Sequence, residues 1–78
     1  MEKNINWLDD ARIGVRFEGG EVLVSANREG LLSLADHLTA LAEEMPGVHI
    51  HYDEYNSLKE GSCELIIEKK DFGPEEEV

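Results

Sequence analysis

Between Asn27 and Pro46 the chain carries one helical stripe: Leu31, Leu34, Ala35, Leu38, Leu41, Ala42 and Met45 recur at the spacing of a single helix face. Asn27 is a good N-cap, Glu29 puts a negative charge in the first turn, and Pro46 with Gly47 stops the run. The spacing predicts a helix over residues 28–44. On each side of it stand two short stretches that alternate apolar and polar residues. The helix therefore divides the chain into two β pairs, and the fold class is α+β in the order ββαββ. One helix can cover only one face of a four-stranded, mainly antiparallel sheet, so the other face meets water or a partner.

Before the helix, Ile13, Val15 and Phe17 alternate with Arg12, Gly14, Arg16 and Glu18, and a β-branched run resumes over residues 22–26. Gly19 and Gly20 between them supply the positive backbone angles of a tight hairpin turn. No P-loop or dinucleotide fingerprint surrounds these glycines, and no cofactor is implied. After the helix, Val48, Ile50 and Tyr52 alternate with His49, His51 and Asp53. In the last strand, expected over residues 62–69, Cys63, Leu65 and Ile67 share one face, and Glu64, Ile66 and Glu68 the other. The loop at residues 54–61 is polar enough to be solvated. Residues 1–10 form a short edge strand or an ordered arm, with Trp7 plugging the end of the core. Residues 1–70 make one domain, and 71–78 an acidic, disordered tail. His37 falls on the polar side of the helix, with no partner at helical spacing for metal binding.

At 78 residues the chain buries roughly 60% of its unfolded surface, so a partner or a second copy matters to its stability. Eighteen acids against seven bases give a net charge of −11, which repels nucleic acid and anionic membranes and attracts basic proteins. The single cysteine, Cys63, cannot close an internal disulfide and reads as a small buried hydrophobe. No leader or long apolar run is present, and a cytoplasmic home is expected.

By alternation, the sheet face opposite the helix carries Arg12, Arg16, Leu23, His49, His51, Asp53, Glu64, Ile66 and Glu68. Three uses of that face compete. A metal site would draw on His49, His51 and Asp53, with Glu64 or Glu68 across the neighbouring strand. Catalysis would need Ser62 or Cys63 as nucleophile, but a small sheet with short loops offers little concavity to exclude water, so the chain is not expected to be an enzyme. A binding surface needs only charge and anchors: Asp53, Glu54, Tyr55 and Tyr52, of which Tyr52 faces the core by its alternation. The same face, or an edge strand, could also close a homodimer.

The run HIHYDEYNSLKEGSCELII, preceded by the leucine-rich helix, resembles immunity protein family 32 of bacterial polymorphic toxin systems. That resemblance covers about the last third of the chain. It implies a small cytoplasmic α+β protein that binds and neutralises a cognate toxin and does no chemistry itself. The expected contact residues are His49, His51, Asp53, Glu54, Tyr55, Glu64 and Glu68. A strongly acidic inhibitor suits a basic toxin such as a nuclease, with carboxylates imitating the phosphate backbone. The alternative is a metal-binding or homodimeric interaction domain built on His49, His51 and Asp53.

Overall fold

Asn27 is the joint at which the first half of the molecule is tied together. In the computed structural model, which describes residues 5–73, its side-chain oxygen accepts from the backbone of Gly30 at 2.8 Å and of Arg12 at 2.9 Å. Its amide nitrogen donates to the Asp10 carbonyl at 2.8 Å. One residue thus caps the helix and fixes the start of the first strand. The elements run β1 (Ile13–Glu18), β2 (Glu21–Ala26), α1 (Arg28–Ala42), β3 (His49–Tyr52) and β4 (Leu65–Glu68). The α+β class and the order ββαββ hold. Gly19 and Gly20, both at positive φ, close the β1–β2 hairpin between paired Glu18 and Glu21.

A single four-stranded sheet does not form. The strands make two separate two-stranded antiparallel sheets, β1–β2 and β3–β4. The cause lies in the chain leading into β4, which was expected to be extended from residue 62. It runs along the free edge of β1 as a turn, with Ser62 N donating to Lys59 O and Gly61 at φ 88°. Lys59 N donates to Ile13 O, and Cys63 N to Val15 O. Between these two, the Ser62 hydroxyl stands where a strand carbonyl would be and accepts from Val15 N at 3.1 Å. The contact is sheet-like in its bonding but not in its backbone geometry, so regular β4 starts three residues late, at Leu65.

The helix is also rotated from its expected orientation. Its buried residues are Gly30, Ser33, His37 and Leu41, while Leu31, Leu38 and Met45 are exposed. The N-terminal arm explains this. Ile5 and Trp7 pack against the core without forming a strand, and Leu8 N donates to the Ser33 hydroxyl at 2.9 Å. The arm therefore covers a stripe that looks polar in the sequence. Gly30 permits the close approach of β1's start, because a Cβ there would sit 2.4 Å from the Arg12 carbonyl oxygen.

The core consists of Ile13, Val15, Leu41, Ile50, Tyr52 and Leu58. Leu58 comes from the loop expected to be solvated, and it is anchored by three backbone amides that converge on the Asp53 carbonyl. Cys63, expected inside, is exposed. The first four residues and 74–78, most of the tail expected to be disordered, lie outside the described residues. Among the described residues no helix is long and apolar enough to cross a membrane.

Candidate functional site

The β3–β4 hairpin divides its side chains cleanly between two faces, because Ile50 pairs with Ile67 and Tyr52 with Leu65, while His49 pairs with Glu68 and His51 with Ile66. The first set packs inward, with Ile50 and Tyr52 wholly buried. The second set points out. His49 and His51 lie side by side, ring centroids 4.9 Å apart at a 45° tilt, with Glu68 and Ile66 across from them. Glu64 is exposed just before β4. The expected placement of His49 and His51 opposite the last strand, with Glu68 across from His49, is therefore present, and Glu64 lies just outside the ladder.

Asp53 and Glu54 have different roles from those of their neighbours. The Asp53 carboxylate turns back on its own loop and accepts from Tyr55 N at 2.9 Å and Asn56 N at 3.0 Å, an Asx-type turn. Asn56 replies by donating to the His51 carbonyl and accepting from Asp53 N. The Glu54 carboxylate accepts from Gly61 N at 2.5 Å and so closes the base of the same loop. These two acids shape the loop that presents Tyr55, whose ring is 96% exposed. The backbone beneath this aromatic residue is already ordered, so docking need not order the turn, which suits Tyr55 as an anchor.

Ile66 was absent from the expected contact set, yet it occupies the middle of the outward face. It is 54% exposed, opposite His51 and flanked along the strand by outward Glu68. An apolar centre with a charged rim is the usual anatomy of a recognition patch. The signal was legible: Ile66 is a β-branched residue on the acidic side of an otherwise alternating strand.

One carboxylate oxygen of Asp53, the expected partner of the two histidines in a metal site, is taken up by the turn, and among the described residues no group of three or more His, Cys, Asp or Glu side chains is placed to hold a metal ion.

A second cluster escaped the sequence reading. His37, expected at the polar surface, is 6% exposed. Its Nε2 lies 2.6 Å from the Asn6 carbonyl and its Nδ1 3.0 Å from the Tyr52 hydroxyl. A carbonyl can only accept, so Nε2 carries a proton, and in the neutral ring Nδ1 accepts from the tyrosine. Trp7 meets His37 edge-on at 4.8 Å and Tyr52 at 6.0 Å. Burial pushes the Tyr52 hydroxyl up to about 12. The cluster joins arm, helix and β3 behind the outward face; His37 and Tyr52 are buried in it and Trp7 is half-buried, and no described buried side-chain polar atom lacks a partner.

The family model described as immunity protein 32 matches residues 21–70, from the start of β2 through the end of β4. No curated protein and no solved structure matches the chain.

Proposed function

The chain belongs to the immunity protein 32 family, and on that premise we propose that it is a non-enzymatic inhibitor that binds and neutralises a cognate toxin of a bacterial polymorphic toxin system in the cytoplasm. The contact surface is the outward face of β3–β4 with the adjoining turn: His49, His51, Glu64, Glu68 and Tyr55, with Asp53 and Glu54 holding the turn, and Ile66 at the centre. The observation that carries this reading is the exposed Tyr55 on a turn braced by two acids, beside a two-stranded face whose rim is charged and whose middle is apolar. The net charge of −11 supports a basic partner, such as a nuclease whose groove is built to attract phosphate.

Growth rescue tests it. A toxin domain encoded beside this chain's gene is expressed in a bacterial host with and without the chain. Restored growth is expected, together with an affinity that falls steeply as salt rises. Replacing Tyr55 with alanine and Glu64 and Glu68 with lysine should weaken binding by at least about 100-fold, as truncated anchors and reversed rim charges do. Toxicity unchanged by a folded chain would contradict inhibition; rescue with a salt-independent affinity would contradict the basic partner alone.

A further inference from the structure

We propose that β2 is a self-association edge, along which two copies of this chain pair antiparallel to join their β1–β2 hairpins into one four-stranded sheet. The argument begins with the backbone. Ile13 and Val15 use their polar groups on the edge of β1 that faces residues 59–63. In an antiparallel ladder these groups alternate sides, so Gly14, Arg16 and Glu18 face β2, and their partners Ser25, Leu23 and Glu21 face β1. The N–H and C=O groups of Val22 and Val24 consequently point away from β1. Among the described residues no backbone hydrogen bond reaches them.

Edges of this kind are normally blunted by lysine, proline or a bulge. This one, EVLVSA, has none of the three: its six residues pair one-to-one with β1 and include a single charge, Glu21. The side chains beside the open edge are apolar and exposed, Val22 at 58% and Val24 at 39%, with Phe17 opposite Val22 at 62%. The β1–β2 pair is extended only by the irregular segment at residues 59–63, and a second hairpin would make it a regular four-stranded sheet.

The strand itself is matched to a second copy, because it brings almost no charge to the pairing. Two molecules of net charge −11 repel, so they can meet only where little charge is brought together. Among the antiparallel registers that place outward residues of both strands opposite each other, two serve as examples. One is centred on Leu23 and sets Glu21 against Ser25 of the second copy; the other is centred on Val24 and sets Glu21 against Asn27. In neither do like charges face. A basic toxin gains little from this nearly uncharged strand, and the inference stands independently of the toxin reading.

The test is mass and amide exchange on the full chain across concentration and salt. The apparent mass is expected to rise from 8.8 kDa toward twice that value, and at lower protein concentration when salt is added, because screening relieves the repulsion between copies. The Val22 and Val24 amides should exchange at least about tenfold more slowly in the dimer. Val22→Pro deletes one outward donor while leaving the β1–β2 ladder intact, a change that edge strands tolerate, and should weaken the dimer at least about tenfold. Val24→Glu, which sets a new carboxylate on the shared edge, should do the same. Circular dichroism matching the parent chain establishes that both variants fold. A monomer up to about 1 mM at high salt overturns the proposal. So does a dimer that leaves the Val22 and Val24 amides unprotected, or one indifferent to both substitutions in folded protein. Protection of these amides that appears only with a toxin domain overturns it too, and would assign the edge to the toxin.

Discussion

β2 and β3 are both short strands in antiparallel hairpins, yet no residue of β2 is buried, while two of the four residues of β3 are wholly enclosed. Their compositions do not account for the contrast, since β2 is the more β-branched of the two. What differs is the cover. Tyr52 on β3 is met by His37 from the helix and Trp7 from the N-terminal arm, whereas β2 ends a hairpin whose tip nothing described overlies. A strand's apolar residues state that it can be buried; the elements packed over it decide whether it is. The β3–β4 pair thereby has one face committed to the core, and the β1–β2 pair leaves an edge available.

The widest separation between the two regions should appear on truncation. Ile50→Ala removes fully enclosed methylenes and is expected to cost about 2–5 kcal/mol. Val24→Ala, assayed at concentrations where the chain is monomeric, should stay within about 0.5 kcal/mol. Urea titration monitored at Trp7 measures both; equal costs would dissolve the distinction. Next in size is Gly30→Ala. Its methyl would meet the Arg12 carbonyl, part of the backbone that ties β1 to the helix start, and relief requires main-chain movement costing about 1–3 kcal/mol. A neutral or stabilising result would show that the joint around Asn27 is softer than its three hydrogen bonds imply.

The effect with the least weight at neutral pH concerns the cover over β3, and it emerges only at high pH. Tyr52 titrates near 10 in the unfolded chain and is pushed up to about 12 by burial in the folded one. Below pH 10 both states hold the proton, and the stabilisation from this hydroxyl is complete. Between pH 10 and 12 the unfolded chain releases its proton while the folded chain keeps it, so stability falls as pH rises through that window. Tyr52→Phe should flatten this part of the stability profile, measured by urea titration at stepped pH. An unchanged alkaline slope would mean that the hydroxyl is not enclosed.

The sequence made the architecture legible wherever local chemistry decides it. Asn27, the Gly19–Gly20 turn and the alternation of β3 and β4 all signal their roles with nearest neighbours. Placement of His49, His51 and Glu68 on the outward face followed from that alternation. Three features were decided by distant chain and escaped the pattern. The arm at residues 5–8 buries Ser33 and His37, turning a polar stripe inward and leaving Leu31 and Leu38 outside. Leu58 is a single apolar residue in a polar loop and showed no period to read. The division into two sheets accompanies a turn at residues 59–62 in which the Ser62 hydroxyl takes the place of a backbone acceptor, which no hydrophobic pattern records. Asp53 and Glu54 were chosen for their charge, whereas their carboxylates hold the turn on which Tyr55 stands.

The account turns on which hairpin meets the toxin, and amide chemical-shift mapping of the labelled chain with the toxin domain it protects against addresses that directly. Shifts and broadening are predicted at His49, His51, Tyr55, Glu64, Ile66 and Glu68, with Val22 and Val24 unmoved. Perturbation confined to β2, with the outward face of β3–β4 silent, would contradict the account.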